Sequence, residues 1–510
     1  MSENTSQANN KRIAKNTFAL YARMLVSTLV TLYTSRVVLD VLGVEDFGVY
    51  GVIGGVVGML GFLNTAMAGA TSRFFTFELA KGDPRRLNDT FSSAFIIHVI
   101  IALIIAAVCE TIGLWFLKNK LIIPDGRMTA ALWVFHLSII EAVIGIIKTP
   151  YNAVIFAHEK MGFYAYVEVV RVVLKLLIVY LLSLSGWDKL ITYAILAFCV
   201  QIIIYAIYRF YCTYNYEESH FRFVWEEQLL KPLLSFSWWN MFKNICVTAR
   251  QQGTNFVVNI FLGVALNAAS AIATSVDGVF KGLTDSILQA SGPQIIKLYA
   301  DGQISSMQKL IIRVFKITAV LMGFVICPLF ICISDILQIW LKEPPIYTDV
   351  FCRYLLISSF FALMGNVLYY GVMATGQIKS VNITNGMLYL LDVLAVYVVF
   401  RLGGAPETSY MILCIVNAMV FTSNLLHLKL LINHIETIKL ISCLFLAVGV
   451  ILLAFWPSYL VYSLFEVKIL RIICVTGLNG ILLVLLSSML LFNKSEREYI
   501  LNYIRGRLKR

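Results

Sequence analysis

"YARMLVSTLVTLYTSR", residues 21–36, sits in an apolar run long enough to cross about 30 Å of hydrocarbon, which takes roughly 20 residues, yet it carries Arg23 and Arg36. Outward from it the same texture persists. The 510 residues are 59% hydrophobic and 14% charged, with mean hydropathy +0.80, whereas soluble domains hold about a quarter charged residues. About 14 apolar windows recur, at 17–39, 47–69, 90–115, 128–149, 162–184, 190–210, 234–262, 268–290, 313–333, 348–371, 380–401, 409–428, 438–460 and 469–492. The expected fold is an all-α polytopic membrane protein. The polar residues 1–16 precede a run too long for a signal-peptide core, so no cleavage is expected.

Most of the 41 lysines and arginines fall in segments on the side of the N-terminus when the windows are threaded alternately. This bias places both termini, "KRIAK" at 11–15 and the basic tail 493–510, in the cytoplasm. The net charge of +12 then reports topology and contact with anionic membrane lipids, not nucleic acid. Ten scattered cysteines without C-x-x-C, and histidines without metal spacing, imply neither a metal site nor a cofactor. There is no phosphate-binding loop and no room for a soluble catalytic domain, so the helices must do the work.

The chain also repeats itself. At an offset of 220 residues "LGV" at 42–44 falls on "LGV" at 262–264, and "ATSRFFTFELAKGD" at 70–83 falls on "ASGPQIIKLYADGQ" at 290–303. Arg23 falls on Lys243. The offset spans six windows, an even number, which predicts two six-helix lobes related by a pseudo-two-fold axis along the membrane normal. The expected organisation is a cytoplasmic N-terminus 1–16, an N-lobe 17–212, a linker 213–233, a C-lobe 234–432, two appended helices in 433–492 and a cytoplasmic tail 493–510. Repeats of this kind bind substrate at the midplane between them, so transport is the expected activity and enzyme chemistry is not.

A cation at the centre of a membrane helix costs about 2.5–3.5 kcal/mol, so embedded arginines and lysines need a reason. Arg36, Lys316, Arg353 and Arg471 lie near span ends and are expected to snorkel. Arg23, Arg171, Lys175, Lys243, Arg250 and Lys281 lie deeper, and are the candidate anion-binding residues. Lys243, Arg250 and Thr254 share one helical face. Ser270, Thr274, Asp277 and Lys281 form a second polar stripe, with Asp277 and Asp285 each four residues from Lys281. Ser27, Thr31 and Thr34 continue from Arg23, so that Ser27, Thr31, Thr254, Thr274 and Asp277 are expected to line a wet cavity. Embedded cations outnumber embedded acids. A cavity of that sign should hold an anion, with phosphate or diphosphate matching the fork of an arginine. Glu141 and Asp392 are the candidate ion-coupling acids.

"NNKRIAKNTFALYARML" at 9–25, "LYTSRVVLDVLGVEDFGVYGVIGGVVGMLGFLN" at 32–64, "ATSRFFTFELAKGD" at 70–83 and "TPYNAVIFAHEKMGFYA" at 149–165 resemble the Wzx-like oligosaccharide flippases of the multidrug/oligosaccharidyl-lipid/polysaccharide (MOP) superfamily. The resemblance implies a V-shaped, two-lobed fold in the bacterial cytoplasmic (inner) membrane. It also implies movement of an undecaprenyl-diphosphate-linked oligosaccharide between leaflets for surface polysaccharide assembly, with the diphosphate in a cationic cavity. By motif position that role passes to Arg23. H+ or Na+ as coupling ion, and glycan polymerase or assembly proteins as partners, are what the resemblance leaves open. Two alternatives stand beside it: a cation-coupled multidrug exporter of the same fold, and an integral membrane polymerase or ligase of glycan assembly. The exporters carry an embedded acid on their first helix, and none lies between Arg23 and Arg36.

Overall fold

The computed structural model describes residues 61–493 apart from 120–122, 124–125, 185, 225–226, 342–343 and 433–434, together with Glu496, Arg497 and individual residues between Leu20 and Ile53. Every regular element among them is helical. In chain order they are α1 (Gly61–Lys81), α2 (Pro84–Asn119), α3 (Met128–Ala157), α4 (Met161–Leu184), α5 (Lys189–Asn215) and α6 (Glu227–Ala300). They continue as α7 (Ile304–Leu341), α8 (Thr348–Thr375), α9 (Lys379–Arg401), α10 (Thr408–Leu431), α11 (Thr437–Tyr462) and α12 (Lys468–Leu491). Leu20, Arg23, Ser27, Val30, Thr34, Val37 and Val38 are helical as well, at the place of the first expected span. Thr31 and Arg36 lie outside the described residues.

Nine of the described helices are long and apolar enough to cross a membrane. Neither α4 nor α6 is among them, and these two carry the embedded charges from Glu168 to Lys175 and from Lys243 to Lys281. Several helices outrun their apolar windows. The 38 residues of α7 extend about 57 Å at 1.5 Å per residue, so its ends project past the hydrocarbon, where apolarity no longer marks a helix.

The seventh and eighth windows, expected as 234–262 and 268–290 with a gap between, are one helical stretch broken at Gly263 alone, where φ is +81° and ψ is −178°. That φ is open to glycine and costly for other residues. The repeat reappears here in the backbone: Gly43 and Gly263 have φ of +79° and +81°, and Gly82 and Gly302 have +75° and +71°, both pairs 220 residues apart. The repeat thus preserves the points at which helices turn.

The chain divides into two compact units, Met1–Asn244 with Gln289–Gly302, and Ile245–Leu288 with Gln303–Arg510. In unit 1, Phe75, Phe91, Tyr151, Ile155, Ile204 and Tyr208 form one core towards the Asn215 end of α5, and Ala131, Val134, Phe135, Leu190 and Ala194 another towards its Asp188 end. Both ends of α6 belong to this unit. Leu230 and Leu233 pack on Met67, Ala94 and Ile97. Lys297 and Gln294 each reach one oxygen of buried Glu159, at 3.0 Å. At the other end, Asp188 caps α5 through the amides of Leu190 and Ile191, at 3.0 and 3.1 Å, and takes Arg127 Nη1 at 2.5 Å. Arg127 also grips Asp46.

In unit 2, α8 and α10 meet so closely that a Cβ on Gly365 would stand 3.3 Å from the Phe421 Cα. An asparagine ladder runs beside this contact. Asn424 donates to the Gly365 carbonyl at 3.0 Å and accepts from Asn385 at 2.8 Å, and Asn417 donates to Ser358 at 2.7 Å. Small residues and interhelical amides join membrane helices because lipid gives apolar faces no reason to associate. The last helix and the residues after it are pinned to α7 at two points. Arg471 meets buried Asp335 at 3.1 Å, and Glu496 meets buried Lys316 at 3.0 Å. The expected snorkelling is corrected for Lys316, whose side chain is buried against Glu496; Arg353 and Arg471 remain partly exposed and also pair, Arg353 with Asp349 at 3.5 Å. A nearby carboxylate satisfies the charge without a long reach to the interface.

Three outcomes follow from these contacts. Glu496→Ala leaves Lys316 buried without its partner and should destabilise the protein by about 3 kcal/mol, read as a lower melting temperature of the full chain in detergent. Gly263→Ala forces an alanine into the left-handed region at about 1–2 kcal/mol, with open space around the new Cβ; Gly278→Ala, also in open space but at a helical φ, should leave melting unchanged. Burial pushes the Asp188 carboxyl up, but the Ile191 amide and Arg127 outweigh it and hold its pKa below the usual range. A depressed carboxyl stabilises the fold above its unfolded pKa of about 3.9 and ceases to do so as pH falls through the folded value. Melting should therefore drop on acidification below about pH 4, and Asp188→Asn should start lower and lose that acid limb; an unchanged limb would refute the assignment.

Candidate functional site

In unit 1, Arg23 Nη1 donates to the Tyr164 hydroxyl at 3.0 Å and the guanidinium lies 5.0 Å from that ring, so a neutral aromatic on α4 orients it. It makes no ion pair among the described residues. One turn on, Ser27 is half-buried, while Thr34 returns its hydroxyl to the Val30 carbonyl at 2.7 Å, as hydroxyls in membrane helices commonly do.

Glu168, Arg171 and Lys175 share a face of α4. Arg171 Nη2 lies 3.4 Å from Glu168 Oε1, while its Nε is buried without a hydrogen bond. Arg171, Lys175 and Glu141 line a cavity of about 90 Å³ with Tyr50, Tyr193 and Gln201, all within unit 1. Lys175 and Glu141 form no ion pair among the described residues, although they share this chamber. It has room for a few waters, which occupy about 30 Å³ each in the liquid. Sequence reasoning missed two cations of this unit. Lys148, 8% exposed, stands 5.0 Å from the Tyr208 ring at the junction of two helical segments in α3. Arg73, 6% exposed, lies 4.7 Å from the rings of both Phe74 and Phe77 and 5.9 Å from that of Phe236. The signal for Arg73 was present, since "SRFF" places a cation among aromatic rings. Lys243 is half-buried on α6, next to the point where the chain passes into unit 2.

In unit 2, Arg250 faces Asp392 of α9, but at 3.8 Å, with its guanidinium 5.9 Å from the Tyr389 ring. Asp392 is 1% exposed and lies beside the Thr254 hydroxyl, and Arg250 Nε is buried without a hydrogen bond among the described residues. This cluster is loose by the standard of charged hydrogen bonds, which close to about 2.7–2.9 Å. Lys281 is different. Of the two acids four residues away it takes Asp277, at 2.5 Å, and Asp277 is further held by Ser359. Thr274 bonds back to the Ser270 carbonyl at 2.8 Å, and Ser270 meets the Tyr410 hydroxyl at 2.7 Å. The structure thus brings Arg250, Thr254 and Asp392 together in one cluster and Lys281 and Asp277 in another. The acidic partners of Arg171, Arg250 and Lys281 make each of these sites less positive than the cations alone would.

His98 bonds the Ala94 carbonyl at 2.7 Å in the core, and His136 meets Glu110 at 2.9 Å.

No protein-family model matches the chain, and no curated protein does. Solved structures do. The chain is similar to the outward-facing conformation of a multidrug resistance MATE family transporter of the MOP superfamily, at 13% identity and a TM-score of 0.70, over 84% of this chain and 97% of that one. It is also similar to a MATE transporter in its bent conformation, at 13% identity and 0.67, over 85% and 97%. A MOP superfamily transporter from Pyrococcus furiosus, described as having a binding pocket of reversed polarity suggestive of a different function, matches at 14% identity and 0.65, over 83% and 95%. At such identities the likeness speaks for the fold: this chain is a polytopic helical membrane protein with the fold of MATE transporters of the MOP superfamily.

Proposed function

We propose that the protein is a flippase that moves an undecaprenyl-diphosphate-linked oligosaccharide from the cytoplasmic to the periplasmic leaflet of the bacterial inner membrane by alternating access. The observation that carries this reading is the loose holding of the deep cations. Arg23 is oriented by a neutral tyrosine, Lys175 has no ion pair among the described residues, and Arg250 stands 3.8 Å from its acid. By contrast, the cations that fasten helices are closed on carboxylates at about 3 Å. A deep cation left loosely paired has already borne its desolvation and gains most from an incoming anion. Arg23 and Lys243 in unit 1 and Arg250 in unit 2 are the proposed phosphate-binding residues, with Arg171 and Lys175 adding positive potential in unit 1; Lys281, closed on Asp277, would take part only by releasing that acid. Ser27, Thr31, Thr254, Thr274 and Asp277 would line the wet path. Glu141 and Asp392, both facing cations, are the acids through which H+ or Na+ would couple.

The multidrug exporter reading shares the fold and is favoured by the MATE neighbours. The absence of an embedded acid between Arg23 and Arg36 speaks against it, and the MOP superfamily transporter from Pyrococcus furiosus, whose reversed pocket polarity is described as suggesting a different function, is a neighbour of the same fold. No soluble insertion offers a polymerase or ligase a catalytic domain.

The test is genetic and chemical. Arg250→Glu should abolish surface glycan while the protein remains inserted at normal level, and Arg250→Lys should retain part of it, because a point charge replaces the fork. A deletion strain should accumulate one undecaprenyl-linked oligosaccharide on the inner leaflet. Normal surface glycan in Arg250→Glu cells, or drug sensitivity as the sole phenotype of the deletion, would sink the proposal.

A further inference from the structure

Beside the charged clusters, unit 2 holds a concave site that bears no charge. It measures about 360 Å³ and is lined by Gln251, Asn255, Ala271, Thr274 and Ser275. Its origin lies in the break of α6 at Gly263. Gln251 and Ser275 stand twelve residues either side of Gly263, and Asn255 and Ala271 stand eight either side. The turn at that glycine folds the two halves of α6 beside each other with these positions opposed. Gln251 and Asn255 are four residues apart, hence on one face of the first half.

The polar groups divide their work. Thr274 and Ser275 spend their hydroxyl protons on the Ser270 and Ala271 carbonyls, at 2.8 and 2.9 Å, and so present oxygen lone pairs to the cavity. The side-chain amides of Gln251 and Asn255 each offer two donor hydrogens and an acceptor oxygen. Neutral donors and acceptors in alternation suit a ligand whose groups are themselves both, as sugar hydroxyls and acetamido groups are. A carboxylate or phosphate would find no cation in this lining. The volume is of the order used by small ligands, about 300–1,000 Å³, and is enough for one or two sugar rings. The charged clusters are near along the chain. Arg250 is adjacent to Gln251, and Lys281 lies seven residues beyond Thr274 on the same face, about 10 Å away at 1.5 Å per residue.

Resting on the flippase reading above, we infer that Gln251, Asn255, Thr274 and Ser275 form a subsite for a neutral sugar residue close to the diphosphate, and that this subsite sets the preference of the protein for neutral over acidic sugars at that position. The cations supply affinity for the shared lipid diphosphate, and the amides read what is attached to it.

The full chain in lipid nanodiscs is titrated with three probes: undecaprenyl diphosphate, the same lipid carrying one N-acetylglucosamine, and the same lipid carrying one galacturonic acid. The neutral glycolipid should bind about tenfold more tightly than the bare lipid, and the acidic one no more tightly than the bare lipid. Gln251→Met combined with Asn255→Leu should erase the tenfold gain and leave bare-lipid affinity unchanged, which also shows that the variant is folded. Thr274→Val combined with Ser275→Ala, on the opposite half of α6, should erase part of the same gain. Retention of the full gain by both double variants, or equal binding of the neutral and acidic glycolipids by the parent protein, overturns the subsite while leaving the flippase reading intact. Failure of the parent protein to bind bare undecaprenyl diphosphate overturns that reading, and this inference with it.

Discussion

The cost of an unsatisfied polar or charged group in hydrocarbon governs this molecule at every level. Backbone groups meet it by forming helices throughout the described residues, because a helix satisfies its own amides where no water can. Side chains meet it less uniformly. Within unit 2 the asparagines of α9 and α10 satisfy one another, or a carbonyl or serine hydroxyl of α8, and so convert a liability into the contact that holds these helices together.

Embedded cations show two solutions to the same cost. In one, a carboxylate closes at about 3 Å and the pair joins elements distant in sequence: Lys316 with Glu496, Arg471 with Asp335, and Lys297 with Glu159. Lys316 and Asp335 are 19 residues apart on α7, about 28 Å along the helix, so α12 and the residues after it are fastened to α7 at two well-separated levels. In the other, the cation is steadied by an aromatic ring or a distant acid, as Arg23 is by Tyr164 and Arg250 is by Asp392. Structural pairs gain from closure. A residue proposed to bind a ligand would keep some of its electrostatic demand unmet until the ligand arrives.

The helix α6 brings these themes together. Its ends pack in unit 1, its middle belongs to unit 2, and a single glycine folds the middle so that charged and uncharged polar faces lie side by side. Arg250 and Gln251 are neighbours in the chain, but 100° of helical rotation puts one beside Asp392 and the other in the amide-lined cavity.

The amino-acid sequence by itself determined the helical membrane architecture, since apolar length is a local property that needs no partner to be read. It also determined the repeat, which surfaces again in the matched φ values of Gly43 and Gly263. The positions of the deep cations were legible for the same reason, because a charge stands out against an apolar run. Lys148, at the junction of two helical segments, and Arg73, in the more polar stretch of α1, escaped notice because neither stands in a long apolar run and only burial marks it. Which acid pairs with which base was decided by tertiary structure alone. Lys281 had Asp277 and Asp285 at equal spacing, and the hydroxyl of Ser359 on another helix anchors the first of them. Asp392 is 142 residues from Arg250, and Glu496 is 180 from Lys316, separations over which periodicity carries no information. The neutral cavity about Gly263 was equally hidden, because amides at 251 and 255 acquire a common purpose with hydroxyls at 274 and 275 only once the chain has turned back on itself.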